Sequence, residues 1–159
     1  MDSRGVSPMI ATIVLIAIVF AIAAILALSL ASAPQPSVIF GGQLSLENVE
    51  NGRSVIVIKH TYGDRANDAV QATSATTIGW KNLELRVNGI IQDNIITLIS
   101  QGKNVSLTGL TVGTTYALVV GDQIRVQLAP AGTTLKIGDK VSLKWVPKNQ
   151  TLVEKEITY

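Results

Sequence analysis

His60 is the only histidine in this chain, and Asp64 follows it by four residues. A serine hydroxyl activated by His60, with Asp64 or Asp139 orienting the ring, would be the hydrolytic constellation open to these residue types. No Gly-x-Ser-x-Gly nucleophile turn accompanies it, so His60 reads as a strand-end residue that bonds locally at a turn. With one histidine and no cysteine, a tetrahedral zinc set cannot be completed. Gly63-Asp64, Gly121-Asp122 and Gly138-Asp139 are ordinary turn pairs, and no segment has the oxygen-ligand density of a calcium loop. Asp64 with Asp68 is the one pair left for a weak cation site. The expectation is a non-enzyme with no catalytic residue, no metal and no cofactor. Two sequons, Asn104-Val105-Ser106 and Asn149-Gln150-Thr151, offer Asn104 and Asn149 for N-glycosylation if the chain is exported.

Thirteen basic and eleven acidic residues leave a formal charge of +2. The basic residues form no arm or stripe, so nucleic acid is not an expected partner. Without cysteine, disulfides are excluded and stability rests on packing, assembly or glycans. One region departs from the rest. From Val6 to Leu46 there is no charged side chain, and residues 8–33 are almost wholly Ile, Leu, Val and Ala. As a helix that stretch would span about 39 Å, against roughly 30 Å of bilayer hydrocarbon. Ser7 suits an N-cap and Pro8 a first helical position, while Pro34 and Pro36 end the run. Ala17, Ala21 and Ala24, and again Ala23, Ala27 and Ala31, are spaced as small residues that let helices approach closely. Phe20 is the single aromatic among them.

Three readings of this segment compete. Ala31-Ser32-Ala33 resembles a signal-peptidase site, which would release a soluble domain beginning at Pro34, but the apolar stretch is nearly twice a signal h-region. A permanent signal anchor would display an outside domain. A pilin-type helix would be cut before the apolar run and kept. The stub Arg4-Gly5-Val6-Ser7-Pro8 followed by Met9–Ile18 resembles the N-terminus of archaeal type IV pilins, whose basic leader (a class III signal peptide) ends in glycine. The resemblance implies cleavage between Gly5 and Val6 by the membrane prepilin peptidase. Ile58–Asp64, Leu85–Gly89 and Ile137–Val141 are similar to later strands and turns of that family. Bacterial pilins usually carry a glutamate five residues into the mature chain; Ile10 stands there, so charge pairing at that place is not available.

Beyond a Pro/Ser connector at residues 34–37, apolar runs alternate with turn signals about every ten residues, the pattern of an antiparallel sandwich. Strands are expected near Ser37–Asn48, Ser54–Thr61, Asn82–Val87, Ile90–Gln92, Asn94–Ser100, Asn104–Leu107, Tyr116–Val120, Gln123–Leu128, Lys140–Val146 and Leu152–Tyr159. Asn88-Gly89 predicts a type I′ hairpin turn. Val141, Leu143 and Trp145 should face inward. Arg65–Thr77, polar and rich in alanine, is expected to be a long surface loop.

The fold class expected is therefore α+β: a leader (1–5), a long apolar transmembrane or filament-core helix (6–33), the connector (34–37) and an Ig-like antiparallel β-sandwich head (38–159). The function that the resemblance implies is a structural subunit of an extracellular archaeal pilus, serving adhesion. Its partners would be identical subunits in a helical homopolymer, the prepilin peptidase, an assembly ATPase with its membrane platform protein, and the cytoplasmic membrane before assembly. Gly5 and Val6 would form the cleavage site, and Ala17, Phe20, Ala21, Ala24, Ala27 and Ala31 the helix-assembly surface. An archaellum-type filament subunit and a membrane-anchored extracellular binding module stand as alternatives.

Overall fold

A computed structural model describes residues 8–31 and 40–158, with helix side chains described over 10–25. The chain divides between Val38 and Ile39 into two compact units. The first contains helix α1 (Pro8–Ala31), which begins at the proline whose missing N–H suits a first turn. The long membrane-crossing helix expected from hydropathy is not what is found. Among the described residues no helix is long and apolar enough to cross a membrane. The leader and the connector lie outside the described residues.

The second unit is mostly β and antiparallel. Its strands are β1 (Gln43–Glu47), β2 (Val55–Tyr62), β3 (Ala66–Ala72), β4 (Ile78–Trp80), β5 (Leu83–Val87), β6 (Ile90–Ile91), β7 (Ile95–Ser100), β8 (Lys103–Val105), β9 (Thr115–Leu118), β10 (Gln123–Gln127), β11 (Lys140–Trp145) and β12 (Gln150–Glu156). They form three sheets ordered β1-β2-β10-β7-β8, β12-β11-β5-β6 and β4-β3-β9. This corrects the second half of the expected fold, a two-sheet Ig-like sandwich behind a long helix. The central strand of the third sheet, β3, lies in the stretch expected to be a loop.

The reason lies in β3. Asp68 sits at φ 51°, and the pairing of β3 with β9 shifts register between Ala66 and Val70. That bulge puts the neighbours Ala69 and Val70 both in the core, so the two-residue alternation that marks a strand is broken. β4 lies in no predicted run either; the remaining strands overlap the predicted ones. Val87 and Ile90 pair across Asn88-Gly89, whose φ values of 52° and 81° are those of the predicted type I′ turn. Val141, Leu143 and Trp145 point inward.

One apolar cluster is shared by all three sheets: Leu44, Ile56, Ile58, Leu98 and Ile124 from the first, Leu85, Val141, Leu143 and Trp145 from the second, and Ala69, Val70, Ile78 and Leu118 from the third. Each such branched side chain, taken fully out of water, contributes about 1.5–3 kcal/mol.

Candidate functional site

Over its described length α1 is exposed on every side. Ile13, Leu15, Phe20 and Ile25 are 62%, 63%, 71% and 64% accessible. Ala17, Ala21 and Ala24 are exposed as well, four and three residues apart, and so share one face. Phe20 stands three residues after Ala17 and four before Ala24, beside that stripe. Ala27 and Ala31 fall within α1, but their side chains lie outside the described ones, as do Gly5 and Val6 altogether. Large apolar side chains are thus exposed on all faces, a surface unsuited to water.

His60 occupies a different kind of place. Its ring is fully buried, and Nε2 lies 2.7 Å from the main-chain oxygen of Asp64. A carbonyl only accepts, so Nε2 carries the proton, and Nδ1 is left without a partner. The Asp64 carboxylate is not the group that meets the ring. Phe40 stands edge-on to His60 at 6.1 Å and stacks on Trp145 at 4.9 Å. Buried behind aromatic rings, His60 fixes the β2–β3 turn. Asp139 is engaged elsewhere and is not brought to it.

That turn is crossed by the chain approaching β1. A Cβ at Gly41 would lie 2.6 Å from Asp64 Oδ2, and one at Gly63 would lie 2.5 Å from the Gly41 oxygen. Gly63 also takes φ 88°, where a side chain is strained. Sequence reasoning noted His60 and the Gly-Asp turn, but not Phe40, Gly41 and Gly42. A Phe-Gly-Gly run is the only signal, and it cannot indicate which turn it crosses.

The remaining Gly-Asp pairs tie turns together. Asp122 is 1% exposed, and its carboxylate accepts the backbone N–H groups of Gln101 (2.6 Å), Gly102 (2.8 Å) and Val119 (2.8 Å). Asp139 accepts from Asn88 Nδ2 at 2.8 Å and from the Lys136 N–H at 2.7 Å, while Asn88 Oδ1 accepts the Lys140 N–H at 2.9 Å. The Asn88 and Lys136 bonds hold the Asp139 carboxyl below its ordinary value. Asp68 is lowered too, chiefly by the Thr115 hydroxyl and then by Lys81, whose ammonium is 3.4 Å away. Asp68 thus bonds within its own sheet rather than joining Asp64 around a cation. Among the described residues no group of three or more His, Asp or Glu side chains could hold a metal.

A folded-state value depressed below that of the open chain adds stability above it, and this stability is lost as pH falls through the folded value. For Asp139 the loss therefore begins as pH drops below about 3.8. Thermal unfolding followed from pH 5 down to pH 2 should show the wild type losing more stability than Asp139→Asn. Parallel curves for the two proteins would exclude this interlock as an acid-sensitive element.

Both sequon asparagines are exposed. Asn104 lies on β8, at the edge of its sheet, and Asn149 follows the short 3-10 turn Val146–Lys148 in a left-handed conformation, φ 48°. Neither would have to leave a packed position to carry a glycan. A cleft of about 250 Å³ opens between the Asn88 hairpin and residues 128–136, floored by Val87, Leu128 and Leu135. No protein-family model matches the chain, and no curated protein matches it.

Proposed function

We propose that this chain is a structural subunit of an extracellular archaeal type IV pilus-like filament, a homopolymer that serves adhesion. The observation that carries the reading is α1: an apolar helix exposed on all sides, in a unit separate from the β-rich one. Identical helices packed around a filament axis would remove that surface from water, and the stripe of Ala17, Ala21 and Ala24 would let backbones approach closely. The pilin-like stub supports processing between Gly5 and Val6 by a prepilin peptidase, from a precursor held at the cytoplasmic membrane. An assembly ATPase and its platform protein would then drive subunits into the filament. On this reading the β-rich unit forms the outer surface, and Asn104 and Asn149 are its glycan acceptors.

Appendages sheared from cells should contain this chain as a filament protein whose first residue is Val6. Electron microscopy with N-terminal sequencing of the band decides the matter. A mature protein starting at Met1 or Pro34, or cells bare of filaments while the chain is exported, would discard the reading. Gly5→Leu should block processing, because the peptidase needs a small residue beside the cut; unprocessed chain should accumulate on immunoblots, and normally processed chain would count against the site.

A further inference from the structure

Residues 69–80 and 104–121 carry no charged side chain, although charged residues flank both segments. The fold joins them. The β3–β4 turn (73–77) and the β8–β9 connection (106–114) are bonded through Leu110 N to Ala75 O at 3.0 Å, Gly113 N to Ala72 O at 2.9 Å and Ala72 N to Thr114 O at 2.8 Å. Both leave the end of their sheet where Gln71 pairs with Thr115. The opposite end, where Ala66 pairs with Leu118, adjoins the Gly63-Asp64 and Gly121-Asp122 turns. Thr73, Thr76, Thr77, Thr108, Thr111 and Thr114 are all exposed there, around Val112 at 66%.

We propose that this charge-free, hydroxyl-rich loop pair is a binding surface for neutral polysaccharide. Each threonine hydroxyl both donates and accepts, as each sugar hydroxyl does, and neither loop carries a fixed charge that would select an ionic partner. Protein–protein contacts draw instead on exposed aromatic, Met and Arg anchors and are depleted in serine. These loops expose no such anchor, which argues against a second copy as the occupant. Hydroxyl contacts made in exchange for water are individually weak, so useful adhesion requires many copies on one scaffold. That last step rests on the filament reading; the surface itself does not.

The test uses filaments and dispersed full-length subunits on beads coated with dextran or with dextran sulfate. Filaments should be retained on dextran with no loss at high salt, since no ion pair is involved. The Thr76→Asp/Thr111→Asp double variant should lower retention by roughly tenfold or more through lost avidity, while Thr111→Ser and Lys155→Gln retain it. Absence from dextran, retention on dextran sulfate alone, a salt-sensitive interaction or an unaffected double variant would each overturn the proposal. So would a double variant that folds and is processed but no longer polymerises, because the loops would then be a contact between copies. If dispersed subunits bind dextran measurably while no filament is ever seen, the filament reading fails and the surface stands.

Discussion

Cells making only the Ala21→Glu chain should assemble no filaments. Ala21 lies in the middle of α1 on the stripe shared with Ala17 and Ala24, among exposed apolar neighbours. In a packed helical core every subunit would bring the same carboxylate to the same dry place, with no cation in α1 to meet it. Burying an unpaired charge costs several kcal/mol even after relaxation, and a polymer repeats that cost at each subunit. Exposed changes on the β-rich unit, such as Lys155→Gln, should stay within about 0.5 kcal/mol and leave filament yield unchanged. The comparison is made by electron microscopy on cells with matched levels of processed chain. Wild-type yield from Ala21→Glu would show that this face of α1 is not buried on assembly.

The second large effect concerns the fold alone. Asp122→Ala should destabilise the β-rich unit by about 3–4 kcal/mol, since three hydrogen bonds to a charged acceptor are lost at once. The midpoint of thermal unfolding should fall on the order of 10–20 °C. Asp122→Asn keeps one acceptor oxygen but turns an NH2 group toward backbone donors, so it should rescue little. Asp93, which is exposed, serves as the reference through Asp93→Asn. A loss below about 1 kcal/mol for Asp122→Ala would mean that water replaces the carboxylate at the Gln101-Gly102 turn without penalty.

Local chemistry explains what could be read in advance. Asn88-Gly89 announced its hairpin because two consecutive positive φ values suit few other pairs. The alternation of Val141, Leu143 and Trp145 announced the inward face of β11, since one face of that strand is buried and the other is not. β3 stayed hidden because three of its four buried residues are alanines, with Val70 the fourth, and its bulge breaks the period. The third sheet was hidden with it. Asp122 could be placed in a turn, but nothing in Gly121-Asp122 tells that its carboxylate reaches back to a different turn at residues 101–102. The apolar run was plain in composition, but the membrane-crossing helix inferred from it is not found: among the described residues no helix is long and apolar enough to cross a membrane. Gly5 and Val6 lie outside the described residues.

Phe40 meets Trp145 across nearly the whole length of the β-rich unit's sequence, and the Gly41-Gly42 backbone lies against Gly63-Asp64 with no space for a Cβ between them. This gives the unit a route for mechanical load. A pull on the chain at residue 40 is not delivered first to β1, an edge strand that could peel one hydrogen bond at a time. It is taken by the Phe40–Trp145 stack and the backbone crossing, and passed through Trp145 into β11 at the centre of another sheet. To move residue 40, the force must first unseat an aromatic ring from the core.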